Sequence, residues 1–375
     1  MGASADASSA TTGPGFPFAF AVCQLGAERA VKDELARLRP GYRPAFMRPG
    51  LVTWKCEPRF QPHEDLPAVF ARAYGASLGT VRSLAELTAL LATLPFQGSA
   101  APLRLHVFAR EGHKPGASAV DSEATPDLDA VTQAILTTNP PGLLVTGPAQ
   151  RSGEWVLNVV LPPAADGPTS GDHSDAISSE PWLVGVHRHG PAHSPHPGGR
   201  PSLRLPADAP SRAWLKLEEG LAFSRLPLSP GEVAVEIGSA PGGASWALLS
   251  RGLRVVGVDP GAMDPRVLAS PRFTHLKTTL GELRREQLPS RVDWLLLDVN
   301  LAPQVALHQL RRIVSTLRPT LRGALLTLKL NSWDLADQVP RFLAQVQAMG
   351  FEPPRATQLA SNRQEICIAA RHQPR

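Results

Sequence analysis

The segment Val235-Glu236-Ile237-Gly238-Ser239-Ala240-Pro241-Gly242-Gly243 constrains this chain most, because it passes from strand to glycine turn to helix start without a break. The alternating apolar residues Val233, Val235 and Ile237 read as a strand that stops at Gly238. Pro241 suits the first turn of a helix, and the paired glycines let another molecule approach the backbone. A second apolar run, Arg254-Val255-Val256-Gly257-Val258, follows one helix later and ends in Asp259. That acid lies about twenty residues past Gly238, where a doubly wound sheet offers a carboxylate to a ribose diol. Taken alone, a strand-glycine-helix turn can also do no more than close a βα unit.

The remaining residues from Pro206 onward keep the same order. A helix is predicted over Ser211 to Phe223, and strands ending at Ile237 and Asp259 flank a helix that begins at Gly242. Further strands are expected at Phe273 to Lys277, Asp293 to Asp298 and Ala324 to Leu330, with a helix from Pro303 to Leu317. Leu335 to Met349 reads as a helix that Pro340 either kinks or delays, and Glu365 to Ala370 as an antiparallel edge strand. Alternation of this kind argues a Rossmann-like α/β fold, a mostly parallel sheet covered on both faces. Ligands bind at the carboxyl ends of such strands, where Gly238, Asp259, Asp298 and Lys329 all fall. The glycine spacing departs from G-x-G-x-x-G, and Pro241 occupies the turn, so a pyrophosphate cradle fits poorly. S-adenosylmethionine fits better, having a ribose and an adenine but no phosphate.

Four polar residues at the edges of these elements, Lys216, Asp298, Lys329 and Glu365, stand in an order that resembles that of RNA ribose 2′-O-methyltransferases. Methylating a ribose hydroxyl is an in-line displacement that needs alignment and something to take the proton. Lys329, at the end of an apolar strand, is the candidate base, provided it is neutral. Burial and the like charge of Lys216 push its pKa down, whereas Asp298 pulls it up. Glu365 would orient a lysine or the ribose, and Asp298 the methyl donor or Lys329. Of the 38 basic residues only Lys32, Lys55, Lys114, Lys216, Lys277 and Lys329 are lysines, so a lysine kept at a strand end suggests a role Arg cannot fill. Two of the four also have a plain structural explanation: Lys216 as an exposed residue of a helix whose apolar stripe is Trp214, Leu217 and Leu221, and Asp298 as a strand-end cap.

The Lys-Asp-Lys-Glu order, with the G-x-x-P-G-G loop between the first Lys and the Asp, resembles the FtsJ/RrmJ class of RNA 2′-O-ribose methyltransferases. Within it, the segment Pro206-Ala207-Asp208-Ala209-Pro210-Ser211-Arg212 before Lys216 resembles the RlmM family, THUMP-containing cytidine methyltransferases of large-subunit (23S) ribosomal RNA. Phe18 to Glu28, Phe46 to Trp54 and Phe70 to Ala73 are similar to that family's N-terminal region. The resemblance implies S-adenosylmethionine as cofactor, held by Gly238, Ala240, Pro241, Gly242, Gly243, Asp259, Thr279 and Asp298, and Lys216, Asp298, Lys329 and Glu365 as the catalytic set. It implies large-subunit ribosomal RNA or its precursor particle as partner. Two stretches depart from the class: Lys277-Thr278-Thr279 stands where an acid usually meets the adenine, and Val299-Asn300-Leu301 lacks the Met-Ala-Pro of a better-known relative. Thr279 can offer only a hydroxyl or a backbone contact there. Two other readings stand beside this one: a 2′-O-methyltransferase of transfer RNA or a message cap, and a non-catalytic RNA-binding or ribosome-assembly protein that keeps the fold.

The first half carries mixed patterns, with Val31, Leu35 and Leu38 at helical spacing and strands expected at Leu103 to Ala109 and Trp155 to Leu161 around a helix near Leu128 to Leu136. On pattern this is a small α+β domain; the resemblance makes it THUMP-like and RNA-binding, over residues 16–161. Residues 1–15 read as a disordered tail, 162–181 as a flexible insertion, 182–205 as a connecting strand with a His-rich loop, and 206–375 as the methyltransferase domain. His187, His189, His193 and His196 fall close together, but Gly and Pro interrupt them and no Cys or acid joins them, so no metal is expected. A loop that meets RNA phosphate or covers the cofactor mouth, with Arg188 and Arg200 supplying charge, is preferred. A net charge of +5 mildly favours a polyanionic partner. Cys23, Cys56 and Cys367 stand apart, as in a reduced compartment, and neither a membrane span nor a secretion signal is visible, so a cytoplasmic protein is expected.

Overall fold

Helical spacing at Ala30, Val31, Glu34 and Leu35 builds the first helix, α1 (Glu28–Leu38), which turns those residues inward between two strands. The computed structural model describes residues 15–94, 102–112, 127–163 and 180–372. The strands of the first half are β1 (Phe16–Val22), β2 (Tyr42–Arg48), β3 (Leu51–Phe60), β4 (Ala73–Val81), β5 (Leu103–Ala109), β6 (Leu144–Val145), β7 (Trp155–Leu161) and β8 (Trp182–Arg188). With α2 (Leu84–Ala92) and α3 (Leu128–Thr138) they form one eight-stranded sheet, ordered β2-β3-β1-β4-β8-β7-β5-β6. The strand at Trp182, read from sequence as a connector, is instead interior to this sheet. It pairs antiparallel with β4 on one side and β7 on the other, because Leu183, Val184 and Val186 are apolar on both faces and need cover on both. The tail and insertion expected at 1–15 and 162–181 lie almost wholly outside the described residues.

The second half opens with α4 (Ala213–Ser224) and continues through β9 (Val233–Ile237), α5 (Gly243–Ser250), β10 (Arg254–Val258), α6 (Pro265–Leu268), β11 (Phe273–Leu276), β12 (Trp294–Asp298), α7 (Pro303–Leu317), β13 (Gly323–Lys329), α8 (Val339–Gln347), β14 (Arg355–Thr357) and β15 (Glu365–Arg371). The sheet order is β11-β10-β9-β12-β13-β15-β14. Its first five strands in that order are parallel, and β15 runs antiparallel to β13. The last strand is therefore not the edge; the three-residue β14 covers it, a segment too short to leave a periodic signal. Pro340 sits in the first turn of α8, after a 3-10 turn at Trp333–Gln338, so the helix starts late rather than kinking. Successive residues of β9, β12 and β13 alternate between two apolar layers, Ile237, Leu297 and Leu326 in one and Ala234, Leu296 and Leu325 in the other. Each buried Leu contributes roughly 1.5–3 kcal/mol, which fixes the register and hence the strand ends.

The two halves meet through segments that flank the sheets. Phe70 packs edge-on against Trp333 at 6.0 Å between ring centroids, and the Gln358 amide donates to the Val69 carbonyl at 2.8 Å.

Candidate active site

Strand β9 leads out between β10 and β12, the two neighbours to which the chain runs in opposite directions, and so opens a crevice at the carboxyl ends. Asp298 ends β12 and Lys329 ends β13. The β13–β15 register places Lys329 opposite Glu365, the first residue of β15. Helix α4 brings Lys216 over these ends, and Gly220 one turn later lets the helix lie on the sheet, since a Cβ there would stand 2.6 Å from Leu325.

The four side chains close into a ring of alternating charge. Lys216 Nζ lies 3.2 Å from Asp298 Oδ2 and 2.5 Å from Glu365 Oε1. Lys329 Nζ lies 3.0 Å from Asp298 Oδ1 and also bonds Glu365 Oε2. Burial pushes the Lys329 pKa down, but the Asp298 and Glu365 carboxylates outweigh it and raise it above the ordinary lysine value. Burial likewise pushes Glu365 up, and Lys216 and Lys329 together bring it below the usual carboxylate value. The resting site thus holds Lys329 as an ammonium.

The glycine turn borders this ring. Gly238 has φ +86°, and a Cβ on it would meet the Asp298 carbonyl oxygen at 2.1 Å, so only glycine passes between the two strand ends. Gly242 has φ +117° at the start of α5, and a Cβ on Gly243 would press on Ser211 Oγ at 2.3 Å. Pro241 is exposed at the tip of the turn. Asp259 is half-buried and ties the turn from below: its carboxylate accepts the Ala240 amide at 3.1 Å and the Gly261 amide at 2.7 Å. Of the sequence-predicted cofactor set, Thr279 stands apart. It is exposed, and its hydroxyl donates to Glu282 Oε2 at 2.8 Å within its own turn.

Sequence reasoning missed Glu236 and Asn362. Glu236 shares a cleft lined by Lys216, Gly238, Ala244, Asp298 and Thr327. Ser245 Oγ donates to it at 2.5 Å, and burial pushes its pKa up to about 8. Its signal was an acid between Val235 and Ile237 in an otherwise apolar strand. Asn362, fully buried, donates from Nδ2 to Glu365 Oε1 at 3.3 Å; nothing in its sequence context marks it.

Three of the four histidines read as a surface loop, His187, His189 and His193, are buried. His187 and His193 stack at 4.2 Å between centroids, Tyr74 lies 4.3 Å from His193, and the Asn158 amide meets His187 Nδ1 at 2.9 Å. Burial pulls His193 down to about 3 and His187 well below the ordinary value, so these rings are neutral and cannot attract phosphate. Arg188 lies over the Trp155 ring, and Arg200 pairs with Glu111. Among the described residues no cluster of His, Cys, Asp and Glu has the arrangement of a metal site, and no helix is long and apolar enough to cross a membrane.

Residues 209–341, which hold α4, the glycine turn, Asp298 and Lys329, match the family of FtsJ-like methyltransferases. This part of the chain is an FtsJ-like methyltransferase domain. The chain is also similar to curated proteins named ribosomal RNA large subunit methyltransferase M. With that of Halorhodospira halophila it shares 38% identity over 47% of this chain and 51% of the relative. With that of Xylella fastidiosa strain M12 it shares 30% over 55% and 57%, and with that of Methylococcus capsulatus 48% over 28% and 30%. The chain spans about half the length, or less, of these relatives. Glu365 and Asn362 lie beyond the matched family segment and join the domain's site through the β13–β15 pairing.

Proposed function

We propose that the protein transfers the methyl group of S-adenosylmethionine to the 2′-hydroxyl of a cytidine in large-subunit ribosomal RNA, in the cytoplasm, with the first half of the chain engaging the RNA. The observation that carries the reaction class is the Lys216-Asp298-Lys329-Glu365 ring beside a glycine turn at the carboxyl ends of a parallel sheet. The target and the RNA-engaging role rest on the similarity to the large-subunit methyltransferases.

The residues fit this cofactor. Gly238, Ala240, Pro241, Gly242 and Gly243 form a turn with no long side chain, and Asp259 keeps free lone pairs for a ribose diol. Asp298 offers its carboxylate, and the neutral Glu236 a carboxyl oxygen, to the ammonium of the amino-acid end. When bound, S-adenosylmethionine supplies an electrophilic methyl group. Lys329 accepts the proton of the 2′-hydroxyl once its own proton has passed to solvent. Asp298 and Glu365 orient its Nζ, and Lys216 keeps both carboxylates from turning away. Thr279, committed to Glu282, contributes to the adenine end through its backbone at most.

The purified protein, unmodified large-subunit RNA and methyl-labelled S-adenosylmethionine test this reading. Label at a cytidine whose ribose resists alkaline cleavage supports it. Label on the base, or on transfer RNA or a cap alone, would replace the target, and absence of cofactor binding would sink the reaction.

A further inference from the structure

Arg72 precedes β4 in the first half of the chain, yet its guanidinium divides its hydrogen bonds equally between the two halves. The residue is 6% exposed, and a buried guanidinium is tolerated only when its donors are met. On its own side it bonds the Glu111 carboxylate and, at 3.4 Å, the Gln24 amide oxygen. Across the interface its Nε donates to the Gln358 carbonyl at 3.2 Å and its Nη2 to the Leu359 carbonyl at 3.1 Å. The same turn is held by the Gln358 amide on the Val69 carbonyl. The Val69 and Phe70 amides in turn donate to the buried Glu34 of α1 at 2.9 and 3.2 Å.

The turn so gripped, 358–363, is closed on itself and ends at the charge ring. The Leu359 amide donates to Asn362 Oδ1 at 2.9 Å, and the Asn362 amide donates back to the Leu359 carbonyl at 3.1 Å, the same oxygen that accepts from Arg72. Gln358 Nε2 donates to the Arg363 carbonyl at 3.1 Å. Asn362 Nδ2 then reaches Glu365 Oε1, the oxygen that meets Lys216 Nζ. From Arg72 to the ring there is one short turn with hydrogen bonds at every link.

We infer that Arg72 is a positioning residue: by holding the Gln358 and Leu359 carbonyls it sets, through Asn362, the place of Glu365 against Lys216 and Lys329, so that docking of the N-terminal sheet completes the catalytic ring. The meaning of the ring rests on the proposed function, but the coupling does not. Without the strut the turn slackens and Glu365 drifts from Lys329. That lysine then loses one of the two carboxylates that hold its proton.

The test uses the full chain. Removing Arg72 alone would leave Glu111 buried beside Arg200 only, so the double variant Arg72→Gln/Glu111→Gln is compared with Asn362→Ala and the unaltered protein. Two readouts are taken: competitive acetylation of Lys329 against pH, quantified by mass spectrometry, and single-turnover methyl transfer at saturating cofactor. The strut predicts that both variants move the Lys329 labelling midpoint down by about one pH unit, a tenfold gain in reactive amine at fixed pH. Transfer per deprotonated Lys329 slows more than tenfold, because its Nζ is no longer oriented, while cofactor affinity stays within about twofold. Adding Glu365→Gln to either variant costs nothing beyond Glu365→Gln alone. A folded double variant with unchanged Lys329 labelling and transfer would reduce Arg72 to domain glue. If the double variant does not fold, Asn362→Ala decides: wild-type labelling and rate there overturn the coupling. Should the unaltered protein transfer no methyl group, the proposed function fails, while the labelling midpoints still decide for or against the strut.

Discussion

Two groups of ionisable residues invite attention, and the structure treats them oppositely. His187, His189, His193 and His196 crowd within ten positions of sequence, and three of them are buried, with His187 stacked on His193 and Tyr74 tilted against the latter. Lys216, Asp298, Lys329 and Glu365 are scattered over the second half, and they converge on a ring in which every charge has two opposite neighbours. Nearness along the chain therefore said little about chemistry. What mattered was position on the sheet: strand ends and the helix above them gather side chains at a crevice, whereas His187 lies inside β8, where the sheet demands apolar packing.

The contrast can be broken experimentally. Lys329→Ala should lower single-turnover methyl transfer by about a thousandfold, within the range for a lost general base, with the protein still folded. Lys329→Arg should not rescue it, because Arg does not release its proton. Full transfer by either variant would end the assignment. Asp259→Ala should weaken cofactor binding roughly ten- to a hundredfold in equilibrium titration, since it loses both the diol acceptor and the bonds to the Ala240 and Gly261 amides. Unchanged affinity would misplace the ribose.

The histidine cluster should report on stability and not on transfer. His193 is held down at about 3 by burial, and so at about 4 is His106 of β5, which lines the same small cavity as His187 and His193; both lie below their unfolded values near 6.5. The sign follows: the unfolded chain binds protons first as pH falls. The stability these groups contribute is complete above about 6.5 and is lost between there and the folded values, at about 1.4 kcal/mol per histidine and pH unit. Denaturant melts at pH 7.5 and 5.5 should show the loss, and His193→Phe should remove one histidine's share of it. A smaller effect is expected at Glu236→Gln. Burial keeps that carboxyl protonated at neutral pH, so the amide is nearly isosteric, and the unfolding free energy should change by less than about 1 kcal/mol.

Much of this architecture was legible in the sequence. The parallel sheet announced itself through apolar runs ending in Asp259, Asp298 and Lys329, and the glycine turn through Gly238 and Pro241. Elements whose identity depends on long-range pairing were not legible. The Trp182 strand reads the same whether it connects domains or lies interior to a sheet, and three-residue β14 carries no period of its own. Glu365 was visible only by resemblance, because its site role comes from an antiparallel register with Lys329 that no local pattern encodes. Thr279 could be placed after the third strand from sequence, but its bond to Glu282 is a matter of turn geometry. The protonation of Lys329 also had to await the structure, since the balance between burial and two carboxylates is set by distances.

The most direct test of the ring as a catalytic centre is the pH dependence of single-turnover methyl transfer, measured with saturating cofactor for the unaltered protein and for Glu365→Gln. Lys329 is an ammonium below its raised pKa, so as the base it requires a rate that climbs with pH. Removing one of the carboxylates that raise that pKa should carry the climb to lower pH by about one unit. A rate independent of pH, or a climb that Glu365→Gln leaves in place, would contradict the ring as the source of the proton acceptor.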